Sequence, residues 1–324
     1  MYSQNYMKFA ESSLRMAVFG LALISFLSNA KGQSEDNGLT LNQYFSRISS
    51  AVYAKDRPKA LELAEKAARQ FPDRPEPHYF RGRIEDTFRH FDESLKSIEL
   101  GLMKDPGFAD LWQLKGIVEF QLARPGDSAA SFDQYLSLRP AQTPYHWQRG
   151  ISFYYAGEFR KGVDQFKIHE SVNATDVENI FWHFLCNSRV VGHEKARRSL
   201  LPLKPGDSRI PMKQIYGLLR GTNTPEDVIQ AAMDESGGNK IFMENHLCYA
   251  HLYLGLYWEA LGENEKAFVH IEKAANEFRQ EHYMGDVARV HYIILKKKRD
   301  SQAVKDTVSE QSTPPVQDSE EVKP

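Results

Sequence analysis

Few residues in this chain have the types and spacing that do chemistry. His183 and Cys186 stand three apart, one turn of a helix, and His246, Cys248 and His251 cluster further on. Imidazole and thiolate are the ligands zinc prefers, so a fold that brought the two groups together would offer a metal site. The spacing matches no standard zinc motif, and each of these residues also serves as an ordinary core side chain. The sequence holds no glycine-rich phosphate loop, no GxSxG and no HExxH. Carboxylates such as Glu85, Asp86 and Glu178 read as solvated helix faces. No catalytic group, no resident metal and no cofactor is expected, which leaves binding.

The elements that would carry binding are set by a period. Glycines fall at Gly82, Gly116 and Gly150, and prolines at Pro72, Pro106 and Pro140, both series with one constant spacing. Small residues hold the same step at Ala60, Ser94, Ser128, Gly162 and Ala196. A fixed step of 34 is the signature of the tetratricopeptide repeat, so the expected fold is an all-α solenoid of stacked antiparallel helix pairs. With the glycine at position 8, repeats start at Leu41, Pro75, Ala109, Thr143 and Val177. Position 8 is where paired helices press together, and position 20 faces it from the second helix. Position 24 supplies an apolar knob, namely Ala64, Ile98, Phe132, Phe166 and Leu200. The proline at position 32 ends the second helix. Turns are expected at Lys55-Asp56, Arg89-His90, Pro125-Gly126-Asp127 and Gly157-Glu158. A sixth repeat centres on Gly255, with Ala267 and Ile271 at positions 20 and 24.

In such a stack, positions 2, 5, 9, 12 and 13 of each first helix face the concave surface. They supply Phe45 and Tyr53, then Tyr79 and Arg83, then Gln113, Ile117 and Phe120. Trp147, Ile151, Tyr154 and Tyr155 follow, and Phe181, Leu185 and Arg189 complete the row. Aromatics and arginine are the usual anchors of protein interfaces, so this row is the candidate partner-binding groove. The lysine and asparagine that clamp a peptide's terminal carboxylate in some repeat proteins are replaced here by Tyr79, Arg83, Gln113 and Ile117. The alternative is that part of the row packs against the rest of the chain.

The remaining organisation follows from composition. Residues 1–30 read as a signal peptide, with a basic start, the apolar run Met16 to Leu27, and small residues at Ser28 and Ala30. Twelve mostly apolar residues are too few to span a bilayer, so no integral span is expected after cleavage. Residues 31–40 read as a linker, 41–204 as repeats one to five, 205–244 as a helical insert, and 245–298 as the sixth repeat and a capping helix. Residues 299–324 read as a disordered tail. Cys186 and Cys248 either pair in an oxidising compartment or remain buried thiols. The formal charge of −2 gives no reason to favour nucleic acid.

One wider similarity rests on order. Phe181-Trp182-His183-Phe184-Leu185 is followed by Lys195 to Leu201, Tyr216 to Gly221, Pro225 to Ile229, Asn245 to Cys248, and Tyr253 to Trp258. That order, together with the repeats before it, resembles the NlpI family of bacterial envelope lipoproteins over most of residues 41 to 298. The resemblance implies a homodimeric periplasmic adaptor that brings cell-wall hydrolases and a processing protease together. The family's lipid-attachment cysteine has no counterpart in this chain. The function expected is therefore an exported, non-catalytic scaffold for envelope proteins. The alternatives are a structural subunit of a secretion or pilus assembly, or a metal-binding enzyme module.

Overall fold

The computed structural model describes residues 38–234 and 236–311. The expected signal peptide, most of the linker, and residues 312–324 lie outside the described residues. Those described form helices and no strand. Paired helices follow the repeat step: α1 Leu41–Tyr53 with α2 Arg57–Gln70, α3 Glu76–Thr87 with α4 Phe91–Lys104, and α5 Ala109–Gln121 with α6 Pro125–Leu138. The series continues with α7 Trp147–Tyr155 and α8 Phe159–Glu170, then α9 Val177–Val191 and the short α10 His193–Arg198. The insert is a smaller pair, α11 Met212–Arg220 and α12 Pro225–Asp234. The sixth repeat is α13 Lys240–Ala260 and α14 Asn264–Glu272, closed by a π-helical turn at Lys273–Glu277. A last helix, α15, runs Tyr283–Gln311. The chain is an all-α tetratricopeptide-repeat solenoid.

The marks of the period explain how each pair closes. A Cβ built on Gly116 would lie 2.5 Å from the Phe132 ring, and one on Gly150 2.6 Å from Phe166. At Gly255 it would meet Ile271 at 2.5 Å. Position 8 therefore receives the position-24 knob of its own repeat, and only a bare backbone leaves room. Position 20 adds a polar tie: Ser94 Oγ donates to the Gly82 carbonyl at 2.7 Å, and Ser128 Oγ to the Gly116 carbonyl at 2.6 Å. Phe132 and Phe166 are fully buried. Burying each such ring contributes about 1.5–3 kcal/mol.

Turns recur at position 15 in the left-handed region. Lys55, Arg89 and Ala123 have φ of 56°, 64° and 57°, where Gly157 and Gly262 have 78° and 81°. The third turn thus sits two positions earlier than expected. Pro125-Gly126-Asp127 is the first turn of α6, because proline's fixed φ and missing N–H suit the first helical position. The insert's second helix begins on a capping box. Thr224 Oγ1 accepts from the Asp227 amide at 3.2 Å while Asp227 Oδ2 accepts from the Thr224 amide at 2.8 Å.

Two further expectations require correction. The helix assigned to end at 298 continues to Gln311. Residues 299–311 hold no glycine or proline, and extending an existing helix avoids the unfavourable nucleation step. Glu85, Asp86 and Glu178 are not solvated helix faces. Glu85 is 1% exposed and takes a forked pair of bonds from Arg57 Nε and Nη2 at 3.0 and 2.7 Å. Glu178 joins Asp176 and Asp207 around the single guanidinium of Arg209, and the Tyr253 hydroxyl donates to it. That knot ties the loop after α10 to the start of α9.

Gly116→Ala drives a methyl into the Phe132 ring and should cost about 1–3 kcal/mol in urea unfolding, with Phe132→Leu in the same chain restoring part of the loss. Ala123→Gly relieves a left-handed turn at a residue with a side chain, and should raise stability by about 0.5–1 kcal/mol in the same assay.

Candidate partner-binding groove

The first helices of the repeats do bring the aromatic row to one face, but the chain itself covers the middle of it. Phe120 is fully buried, stacked on Tyr283 of α15 with ring centroids 5.6 Å apart. Trp147 meets the same Tyr283 edge-on at 4.9 Å. The Tyr155 hydroxyl shares a hydrogen bond of 2.8 Å with His291 Nδ1. The Tyr154 hydroxyl donates to Glu259 Oε2 at 3.3 Å, and Arg189 Nη2 donates to Glu259 Oε1 at 3.2 Å. Phe181 is fully buried and packs edge-on against Tyr253 at 4.8 Å. Phe120, Tyr154, Tyr155 and Phe181 are therefore not an open surface. The reason lies in their partners: the sixth repeat and α15 carry their own aromatics inward, and two apolar faces bury each other.

The remaining row is accessible. Phe45 and Tyr79 are half-buried, and Tyr53 stands 92% exposed at the end of α1. The Phe45 ring lies 5.5 Å from Phe80, and Tyr79 lies edge-on to Phe108 at 5.8 Å. Arg83 Nη1 donates to the Tyr79 hydroxyl at 3.3 Å, which fixes both side chains. Gln113 Nε2 donates to Gln148 at 3.0 Å, and Gln113 Oε1 lies 2.6 Å from His146 Nε2. Burial pushes His146 down to about 3, so the ring is neutral, its Nε2–H donates to Gln113, and its Nδ1 accepts from the Arg149 amide. The first three repeats thus present a preformed aromatic face with one fixed guanidinium.

A polar cluster marks the boundary between the covered and open halves. Arg89 donates to Asp286 Oδ1, and Gln121 Nε2 donates to Asp286 Oδ2 at 3.1 Å. Arg289 donates to the Gln121 carbonyl, and the guanidiniums of Arg89 and Arg289 lie 5.1 and 5.3 Å from the Phe91 ring. Asp86 faces this cluster, with Oδ1 lacking a hydrogen-bond partner. Burial, with the nearby Asp286 charge adding to it, raises its carboxyl to about 6, against the pull of Gln121, Arg83 and Arg89. In the sequence Asp86 reads as a solvated carboxylate and Gln121 stands outside the groove row, although they occupy concave positions 12 and 13. The available signal was charge and amide at slots otherwise aromatic, opposite the Asp286 and Arg289 that begin the last helix.

The metal-ligand candidates are dispersed. Cys186 fills the space against Gly162, whose Cβ would lie 2.5 Å from its sulfur, so position 20 of the fourth pair seats a side chain of the fifth. Cys248 Sγ points at the Ala274 carbonyl, 3.8 Å away. The two thiols are not bonded to each other, and burial pushes Cys248 up to about 12. His183 and His246 are buried, and burial holds His183 at about 4. His251 pairs with His270 at 2.8 Å and stacks on Phe278. Among the described residues, no three His, Cys, Asp or Glu side chains gather as metal ligands.

No protein-family model matches the chain. Solved structures do resemble it. A tetratricopeptide repeat protein from Parabacteroides merdae is 14% identical with a TM-score of 0.49, covering 77% of this chain and 98% of its own. PilW, a type IV pilus biogenesis factor, is 16% identical with a TM-score of 0.42, over 76% and 97%. MamA from Desulfovibrio magneticus RS-1 is 15% identical with a TM-score of 0.44, over 49% and 89%. The fold assignment itself rests on the chain's own helix pairs and their constant step.

For Asp86 the folded-state value is raised, so the ionised form is penalised above about pH 6 and the penalty fades as pH falls toward the usual carboxylate range. Asp86→Asn should therefore stabilise the protein at pH 7.5 by on the order of 1–2 kcal/mol and by about a third as much at pH 4.5, read by thermal unfolding of both proteins across that range.

Proposed function

We propose that this chain is a non-catalytic adaptor that holds a segment of another protein on the open end of its concave face. The supporting observation is the covered half of the same face. There the row of first helices already accepts one amphipathic helix, α15, whose Tyr283, Val287 and Val290 turn inward. The surface that continues from it, at Phe45, Tyr79, Arg83 and Gln113, has the same aromatic and arginine chemistry and stays accessible among the described residues. Aromatic and arginine anchors in a preorganised face are what concentrated binding energy requires.

The basic start, apolar run and small residues ahead of Lys31 support an exported protein. The order of motifs shared with the envelope lipoprotein family supports envelope proteins as its partners, cell-wall hydrolases and proteases among them. No helix among the described residues is long and apolar enough to cross a membrane. Self-association through the convex face or the terminal helices belongs to the same reading.

The test is affinity capture from an envelope fraction, comparing wild type with a Phe45→Ala, Tyr79→Ala, Arg83→Ala variant. Each anchor removed from a real interface costs upwards of about 1 kcal/mol, so partners held by this face should fall away together. A Glu65→Ala variant, altered at an exposed position of the second helix α2, should keep them. Identical captures from the triple variant and wild type would show that partners bind elsewhere.

A further inference from the structure

A second surface has different chemistry. Between α10 and α11 lies a cleft of about 550 Å³, where Arg197, Arg198 and Arg220 outnumber the single carboxylate of Glu194 and Leu200, Pro202 and Tyr216 supply apolar lining. The local charge is far from the chain's average. Residues 193–220 carry Lys195, Arg197, Arg198, Lys204, Arg209, Lys213 and Arg220 against only Glu194 and Asp207, in a chain whose formal charge is −2. Arg209 is already held by three carboxylates. Arg197 donates through Nε to the Leu219 carbonyl at 3.0 Å, which locks its guanidinium at the rim. Arg220 lies 5.8 Å over the Tyr216 ring. Arg198 and Arg220 have no ion-pair partner among the described residues.

We infer that this cleft is a docking site for an extended acidic peptide that carries an apolar side chain between its carboxylates. Three guanidiniums around one opening match carboxylates in forked geometry. Leu200, Pro202 and Tyr216 line the same opening and keep accessible apolar surface that an inorganic anion would leave unused. The wall from Leu200 to Pro202 belongs to no helix, and the amides of Leu200 and Leu201 donate no backbone hydrogen bond to another described residue. An extended ligand backbone can pair there. The guanidiniums ring a single cleft and do not form a stripe, which is the wrong distribution for a nucleic-acid backbone. None of these residues belongs to the concave row, so this site stands apart from the adaptor face.

The experiment is fluorescence anisotropy with the full chain and a labelled eight-residue peptide alternating Glu and Leu. Saturable binding is expected, weakening as salt rises from 50 to 300 mM. It should fall at least tenfold in an Arg198→Glu, Arg220→Glu variant whose thermal unfolding matches wild type. An Arg160→Glu variant should bind as wild type. An alternating Gln and Leu peptide should bind at least tenfold more weakly than the Glu and Leu peptide, and equal binding would overturn the acidic assignment. Full displacement by millimolar inorganic phosphate would reduce the site to a generic anion patch and overturn the peptide assignment. Tighter peptide binding after deletion of residues 312–324, which hold Asp318, Glu320 and Glu321, would assign the cleft to the chain's own tail and overturn an external partner. No binding by the wild type would overturn the site itself.

Discussion

Everything in this molecule depends on how closely two helices of a pair approach. The approach is fixed by a missing atom: at Gly116, Gly150 and Gly255 a Cβ would sit 2.5–2.6 Å from the knob of the facing helix. That contact recurs at position 8 of the second, third, fourth and sixth repeats, while Ile48 and Phe184 fill the same place in the first and fifth, and stacking of the pairs aligns their first helices. The hydrogen bonds from Ser94 and Ser128 to the glycine carbonyls hold the same contact from the polar side. Curvature of the concave face is a result of packing inside each pair.

Closure is the second constraint. The sixth repeat returns to the stack after the insert and meets α9, and α15 then lies against the first helices of the third and fourth repeats. The closure combines ring stacking at Tyr283 with the polar cluster around Asp286. Burying a carboxylate is costly unless it is paired, and Asp286 receives bonds from Arg89 and Gln121. Asp86, close by, is less fully satisfied, and its raised value records the difference. Through these bonds Asp286 ties α15 to the second and third repeats.

The fold was legible because it is local and periodic. Gly82, Gly116, Gly150, Ser94, Ser128, Phe132 and Phe166 each sit where a contact within one repeat requires them, and such contacts recur at fixed offsets in the sequence. The candidate groove was legible only as a row. Whether Phe45 and Tyr79 stay accessible while Phe120 and Phe181 are buried depends on Tyr283 and Tyr253, which belong to distant helices, and no period links them. The turn at Ala123 was hidden for another reason, since alanine is not a usual left-handed residue and Pro125 and Gly126 beside it are strong turn formers. The paired glutamates were misread because the arginines that justify their burial, Arg57 and Arg209, lie 28 and 31 residues away.

The covered half of the concave face has a kinetic and thermodynamic consequence for any visitor. Because α15 is tethered to the surface it occupies, it competes at an effective concentration that short connections place in the millimolar range. A free helix at micromolar levels with the same intrinsic affinity would almost never displace it. The third and fourth repeats are therefore deaf to weak amphipathic segments, of which a cell has many. The tether acts as a threshold, leaving sensitivity to ordinary ligands only at the end of the solenoid that Phe45 and Tyr79 line.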